Sequence, residues 1–485
     1  MRAGEAIRAP DGTITSVGID IGTTTTQLVF SRLTMGNTAG PTQVPRYVIT
    51  DRVIIYGSPV AFTPKKRVPG GGDAIDEAAL GDMVTAWYAD AGMARENVTS
   101  GAVIITGESL KKSNARKAVF GLSSSLGDFV VATAGPHLES VIAGRGSGAA
   151  AFSTKNRACA LNIDVGGGTS NYAVFSNGQV VDTACLNVGG RLVETDASGR
   201  VTAVHPPALP VLRALYGEIP AALQHGHLTR LAERMASIIY EQTQGMTCTE
   251  ADALLQTEPL RADHTYDAVF ISGGVGACCQ TPPEDPFVFG DMGPLLAEAL
   301  MRDPGMRALP LRVPEGTVRA TVIGAGAWSL TLSGSTVWVD DATLPLRNIP
   351  VVSVPLSWPD VPENPGDHIR RRVALFDVDP AATPFALSFP DIPARYQALR
   401  YLAEGVAAYA AALPPMRHPL IVALGRDMGK ALGMELKLLL GGRELVVVDE
   451  VVLEDGDYLD LGKAMHGGGV VPLVVKSLAF SGNKG

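Results

Sequence analysis

The sequence predicts an α/β protein of two lobes, each carrying a glycine-rich hairpin, with a further α/β domain appended at the C-terminal end. Two observations carry the prediction. The run Leu161-Asn-Ile-Asp-Val-Gly-Gly-Gly-Thr-Ser-Asn-Tyr-Ala-Val-Phe-Ser176 has an earlier counterpart in Ser16-Val-Gly-Ile-Asp-Ile-Gly-Thr-Thr-Thr-Thr-Gln-Leu-Val-Phe-Ser31. Superposing Asp20 on Asp164 matches Ile19 to Ile163, Gly22 to Gly166 and Thr25 to Thr169, and both copies then enter an apolar strand ending Phe-Ser. The two lie about 140 residues apart, the scale of a domain rather than of a solenoid repeat. From about residue 340 the texture changes to a proline-rich connection followed by cleanly alternating helices and strands. The expected division is 1–155 for the first lobe, 156–340 for the second and 341–485 for the C-terminal domain.

Each hairpin reads as an apolar strand delivering an aspartate to a tight turn, with hydroxyls beyond it. Glycine takes φ > 0 without steric cost and lets a ligand approach the main chain, so Gly166, Gly167 and Gly168 can aim N–H groups at a phosphate. Asp164 then stands where it would hold a Mg²⁺-bound water. A single such hairpin is equally a structural turn; its duplication turns the reading toward a nucleotide cleft between lobes.

A chain of 485 residues, 46% apolar and 18% charged, can bury large cores. Its net charge of −9 and the absence of a concentrated Lys/Arg tract argue against a nucleic-acid surface. No apolar run is long enough to span a bilayer, and residues 1–16 lack the apolar core of a signal peptide, so a cytoplasmic protein is expected. The five cysteines, Cys159, Cys185, Cys248, Cys278 and Cys279, show no metal-ligand spacing and read as reduced, buried thiols.

Along the chain, residues 32–70 alternate as strands, with Lys65, Lys66 and Arg67 in an exposed loop. Asp76 to Ala91 is a helix with Leu80, Val84 and Trp87 or Tyr88 on one side. Ala102–Thr106 is a buried strand, and Ser109–Leu122 is a basic amphipathic helix. Phe129–Ala134 is a strand leading to a helix thick with small residues, Gly135–Ala151, suited to close packing or to a hinge. After the second hairpin Val180–Asn187 returns as a strand and Val188-Gly-Gly-Arg191 follows it. Residues 205–265 are largely helical, and His225 and His227 lack the partners of a metal site. Asp267 to Gly276 is a strand ending in glycines, which places Gly273 and Gly274 to back an adenosine. Arg319–Leu332 repeats the small-residue helix and is expected to face the first across a hinge. Arg372–Phe376 opens the final unit, followed by helix Tyr396–Ala412, strand Pro419–Leu424, helix Met428–Leu440 and strand Glu444–Asp449. Gly425–Lys430 follows a strand and opens a helix, but it lacks the full P-loop pattern and is expected to be a structural turn.

This order of hairpin, small-residue helix, hairpin, Gly-Gly strand end and second small-residue helix resembles the actin-like ATPase superfamily, with its ribonuclease H-like lobes, over residues 15–335. More specifically, Val103-Ile-Ile-Thr-Gly-Glu-Ser109, Asn114-Ala-Arg116, Ser125 to Val131, Ala134-Gly-Pro-His-Leu-Glu-Ser-Val-Ile-Ala-Gly144, the second hairpin and Ala184-Cys-Leu-Asn-Val-Gly-Gly-Arg-Leu192 look like the ethanolamine ammonia-lyase reactivating factors, the EutA family. Asp449-Glu450, Gly456 to Asp460 and Val470 to Phe480 look similar too.

The resemblance implies a chaperone-like factor, a slow ATPase rather than a metabolic enzyme. It would use ATP and Mg²⁺ to release damaged cobalamin from ethanolamine ammonia-lyase so that adenosylcobalamin can enter. Carried onto this chain, Asp20, Gly22, Thr23 and Thr24 form the first phosphate hairpin, and Asp164, Gly166, Gly167, Gly168 and Thr169 the second. Asp20 and Asp164 are the candidate catalytic and metal-holding residues, and Gly273 and Gly274 border the adenosine. The chaperone members carry an acid just before a proline at the start of the first hinge helix. Here Gly135 precedes Pro136 and the nearest acid is Glu139, so hydrolysis is expected to be slow or to rest on the two aspartates. The alternatives are a small-molecule kinase on the same fold, for which no Asp-Gly substrate motif stands out, and a nucleotide-sensing scaffold without turnover. The lyase is the expected partner, with neither nucleic acid nor membrane. Homo-oligomerisation and association with a bacterial microcompartment are left open.

Overall fold

The computed structural model describes residues 13–22, 25–37, 47–59, 61–67, 73–98, 100–105, 130–133, 135–196, 198–246, 248–312, 327–332, 338–340, 343–356, 358, 364–376, 378–381, 383–414, 418–462 and 472–477. Thr23, Thr24 and the expected helix Ser109–Leu122 lie outside them.

The first sheet is built from β1 (Thr13–Ile21), β2 (Thr25–Asn37), β3 (Tyr47–Gly57), the short β4 (Ala61–Phe62), β7 (Ser100–Ile105) and β8 (Val130–Thr133). Its order is β3-β2-β1-β7-β8, with β4 on the side of β2. The first three strands form an antiparallel meander, and β7 and β8 add in parallel to β1. Strands β5 (Lys65–Arg67) and β6 (Asp73–Ile75) form a separate ribbon, so the three basic residues are exposed, as expected, but on a strand rather than a loop. Helix α1 (Glu77–Asp90) covers the sheet. Asp76 caps it by accepting from the Ala79 N–H at 3.2 Å, and Leu80, Val84, Trp87 and Tyr88 form its buried face.

Helices α2 (Pro136–Gly146) and α3 (Ala149–Asn156) replace the single helix expected over Gly135–Ala151. The break falls at Gly148, whose φ of 87° is the left-handed region that a continuing helix cannot use. The small residues of α2 serve a helix-to-sheet contact. A Cβ on Gly144 would lie 2.4 Å from the Phe175 ring.

The second sheet contains β9 (Cys159–Val165), β10 (Ser170–Ser176), β11 (Gln179–Leu186), β14 (Ala268–Ser272) and β15 (Leu311–Arg312), ordered β11-β10-β9-β14-β15. Again three strands form an antiparallel meander and two add in parallel. The sequence duplication is therefore a duplication of sheet topology. Strands β12 (Val193–Thr195) and β13 (Val201–Val204) form a side ribbon. Period-two alternation sorts the sheet's faces. Leu161, Ile163, Val165, Tyr172, Val174, Val269 and Ile271 join a core with α4 (Ala208–Tyr216), α5 (His225–Thr243), α6 (Thr249–Leu254), α7 (Gly273–Gln280), α8 (Gly293–Arg302) and α9 (Pro304–Ala308). Ala160, Ala173, Phe175, Ala268 and Phe270 face the other way, onto α2, α3 and the C-terminal region.

The third sheet has eight strands in the order β16-β23-β22-β18-β19-β20-β21-β17. They are β16 (Ala327–Leu332), β17 (Trp338–Val339), β18 (Leu346–Ser353), β19 (Ala386–Phe389), β20 (Leu420–Leu424), β21 (Leu445–Val448), β22 (Asp457–Leu461) and β23 (Pro472–Ser477). Helices α10 (Pro365–Val373), α11 (Tyr396–Ala411) and α12 (Gly429–Leu440) accompany it. Two expectations change here. Ala327–Leu332 is a strand paired antiparallel with β23, not a helix. Its Ala-Trp-Ser-Leu-Thr-Leu sequence alternates with period two, and that outweighs the small residues before it, which lie outside the described residues. Arg372–Phe376 forms the end of α10 and the turn after it rather than the start of the unit, whose sheet already includes the earlier strands β16 to β18.

A single apolar core joins α2 and α3, through Leu138, Val141, Ile142 and Ala149, to Ile369, Val373, Leu402, Val406 and Tyr409 of α10 and α11. Polar pins cross the same junction. The buried Arg372 donates to Val180 O at 2.6 Å, to Ser353 O at 3.0 Å and to Asp455 Oδ2 at 2.8 Å. Arg145, from α2, also donates to the Asp455 backbone carbonyl.

Candidate functional site

The second hairpin stands at the polar end of an otherwise apolar sheet face. In register, Asp164 of β9 lies beside Ser272 of β14, and the Ser272 hydroxyl donates to Asp164 Oδ1 at 2.5 Å. Asn162 Nδ2 donates to the same hydroxyl oxygen at 3.2 Å. Burial pushes the Asp164 carboxyl above its usual range, and the bond from Ser272 offsets this only in part.

At the tip, the Gly166 N–H donates to Thr169 O at 2.9 Å, which closes the turn. Beneath it runs a strap that the sequence did not reveal. Gly190 N–H donates to Gly166 O at 3.0 Å and Arg191 N–H to Gly167 O at 2.6 Å. The fit demands glycine, because a Cβ on Gly189 would sit 2.5 Å from Gly167 O.

The expected adenosine glycines divide into two roles. Gly273, at φ 86°, would place a Cβ 2.4 Å from Val165 O, so it is there to let β14 turn into α7 against β9. Gly274 faces open space, with nothing within 4 Å of a built Cβ, and so does Gly168.

The first hairpin is braced from β4. The Thr63 hydroxyl donates to Gly22 O at 2.8 Å and lies 3.0 Å from the Thr26 hydroxyl. Asp20, half-buried, sits in β1 opposite Gln27 of β2. A contact between lobes stands nearby: the Arg191 guanidinium lies over the ring of Phe62 in β4, 4.2 Å from its centroid.

Arg191 also belongs to a charged group beside the strap. Its Nε donates to Glu194 Oε1 at 3.3 Å, and His205 Nε2 lies 2.9 Å from the same oxygen. Burial alone would raise the Glu194 carboxyl, but the bonds from His205 and Arg191 outweigh it and hold it low. Asp291 accepts from the Gly293 N–H at 2.8 Å, and burial pushes its carboxyl up to about 6. A carboxyl raised on folding stabilises the folded state below its unfolded pKa and loses that contribution as pH rises toward 6. Asp291→Asn should therefore raise the stability of the chain by on the order of 1 kcal/mol at pH 7.5 and by nothing at pH 3.5. Urea melts at the two pH values read this out, and an equal gain at both would contradict it.

These groups suit a nucleotide and a hard cation: open space over two glycines, and a carboxylate beside the turn. Among the described residues no cluster of three or more His, Cys, Asp or Glu side chains could hold a metal ion. A cation here would rest on few carboxylates, with phosphate and water completing its shell, the usual habit of Mg²⁺. His227 caps α5, its Nδ1 accepting from the Gln224 N–H at 3.0 Å. The five cysteines are free, and burial raises Cys278 to about 11 and Cys279 to about 12, so both stay protonated near neutrality. No helix among the described residues is long and apolar enough to cross a membrane.

Residues 12–481 match the family model described as ethanolamine utilisation protein EutA. The chain belongs to the EutA family. It is 50% identical over 471 residues to the ethanolamine ammonia-lyase reactivase EutA of Salmonella typhimurium, covering 96% of this chain and 98% of that protein. To the Escherichia coli reactivase of the same name it is 48% identical over 468 residues, with the same coverage. Among solved structures, this chain is similar to a Ppx/GppA family member from Aquifex aeolicus (14% identity, 56% of this chain and 72% of that one, TM-score 0.33). It is also similar to the ethanolamine utilisation protein EutJ of Carboxydothermus hydrogenoformans (17%, 64% and 87%, TM-score 0.32).

Proposed function

We propose that this chain is a reactivating factor for adenosylcobalamin-dependent ethanolamine ammonia-lyase, using ATP with Mg²⁺ to release damaged cobalamin so that intact cofactor can bind. The observation that carries this reading is the 50% identity, over 96% of the chain, to a protein named as that lyase's reactivase. The twin hairpins support the nucleotide part. Asp20 and Asp164 would hold Mg²⁺ from opposite lobes. Gly22, Thr23 and Thr24 would grip phosphate from one side, and Gly166, Gly167, Gly168 and Thr169 from the other, with Gly273 and Gly274 at the adenosine. Bound Mg²⁺ would neutralise phosphate charge; the chain's own part is to orient the phosphates through fixed N–H donors and to convert their grip into lobe movement.

The working units are the two lobes and the C-terminal domain, divided near residues 155 and 340, with α2 and α3 packed on the second lobe's sheet and β16 and β17 in the C-terminal domain's sheet. Driving a two-state cleft from about 1:99 to 99:1 takes roughly 5.5 kcal/mol of differential affinity. A γ-phosphate held by both hairpins would supply that difference, and a lyase bound across the moving surfaces would feel it.

The test incubates the full chain with cyanocobalamin-blocked lyase and adenosylcobalamin, with and without ATP and Mg²⁺. Activity is expected to return only with both. Equal recovery without nucleotide would overturn the ATP-dependent reading, and accumulation of a phosphorylated small molecule would favour a kinase.

A further inference from the structure

We propose that Arg191 is a positioning residue that latches the two phosphate turns together across the cleft, with Phe62 as its strike plate. The proposal deepens the nucleotide reading and rests on it for its consequence, though not for the contact itself. Each partner is fixed to a different turn. Arg191 donates its backbone N–H to Gly167 O at 2.6 Å, so its position follows the second turn. Phe62 precedes Thr63, whose hydroxyl donates to Gly22 O at 2.8 Å, and β4 pairs with β2 through Thr25↔Phe62, so the ring follows the first turn. The guanidinium over the ring, at 4.2 Å, is thus a direct link between the two phosphate grips.

The surroundings fit a reversible contact. Phe62 is 60% exposed, so little packing holds it apart from Arg191. Glu194 accepts from Arg191 Nε and keeps the guanidinium's cation in place, while the delocalised plane is presented to the ring. The other cation–ring pairs among the described residues differ in kind. Arg312 over Phe152 lies within the second-sheet unit and Arg372 over Phe376 within the C-terminal unit, so neither spans the cleft. Any change in spacing between the turns must stretch the Arg191–Phe62 pair. A cation over an exposed ring shifts an open–closed equilibrium by about two- to fivefold. Loss of either partner should speed release of bound nucleotide by about that factor.

The experiment compares hydrogen exchange of the intact, nucleotide-free chain in Arg191→Ala, Phe62→Leu and the double variant. Release of a fluorescent ATP analogue is followed in the same proteins and in Phe62→Trp. A latch predicts reciprocal effects: Arg191→Ala deprotects peptides around residues 58–67, and Phe62→Leu deprotects peptides around 187–195. The double variant should be no worse than either single one. Phe62→Trp, which keeps a π face, should release the analogue no faster than the parent, and Arg191→Lys should fall between parent and Ala. Deprotection confined to the substituted lobe, or effects that add in the double variant, would overturn the latch. If the parent chain bound no ATP analogue while the reciprocal deprotection persisted, the nucleotide reading would fall and the latch would stand.

Discussion

Replacing Asp20 and Asp164 together by asparagine is expected to abolish ATP-dependent recovery of the lyase while leaving the chain at least as stable at neutral pH. The two halves of this outcome have separate physical causes. Removing positioned charge from a phosphate site typically costs about 10²- to 10³-fold in rate, and two carboxylates gripping one cation from opposite lobes should lose at least that much together. Stability moves the other way at Asp164. Its carboxyl is buried and its pKa raised, so ionising it costs stability as pH rises through the folded pKa. An amide has no charge to bury and can still accept from Ser272. Such a residue is retained against stability, as expected of a functional group. Reactivation rate and urea midpoint, measured on one preparation, decide the matter. A double variant that reactivates at the parental rate, or that loses activity only in proportion to lost folded protein, would remove Asp164 from the site.

The second large effect lies at the junction between α2 and the C-terminal region. Arg372→Ala should cost about 3–5 kcal/mol, because it leaves the fully buried Asp455 carboxylate without its close partner. Arg145 Nη2, 3.9 Å away, cannot replace the 2.8 Å bond. Val180 O and Ser353 O lose their donor as well. Arg372→Met paired with Asp455→Asn should recover much of the loss, since the expense is the unpaired charge. Urea unfolding of the full chain reads both variants. A loss below about 1 kcal/mol for Arg372→Ala would mean that water reaches Asp455 and that the junction is looser than its packing indicates.

Much of this was legible in local patterns. Strand-turn-strand repeats put Asp20 and Asp164 on matching hairpins, and they do so in the structure. The apolar face of α1 and the alternation at the C-terminal end were equally readable, because both are periodic within a few residues. What escaped the sequence depends on contacts between distant segments. The strap from Gly189 to Arg191 matters through backbone bonds to Gly166 and Gly167, which no spacing announces. Ser272 was visible only as the end of a strand; its role comes from a parallel register with Asp164, 108 residues earlier. Asp291 reaches the same neighbourhood through a backbone bond from Met292 N–H to Gly190 O. Where composition competed with period, period won: glycines and alanines suggested a helix to Leu332, yet the alternation from Ala327 made a strand. A denser run of small residues around Gly148 hid a left-handed break in what reads as one helix.

The pairing of β16 with β23 sets a timetable for biosynthesis. Ala327–Leu332 pairs with Pro472–Ser477, which is translated long after it. Both duplicated sheets are fully translated well before then and can take shape as the chain emerges, whereas the eight-stranded sheet must wait for β23. Until it arrives, Ile349, Val351, Ala386, Val446 and Leu459, which share a core with Leu473 and Val475, lack the cover of those two residues. A nascent chain stalled or cut short before residue 472 would present a sticky face to other chains and should depend on cellular holdases, while a finished one folds that face away.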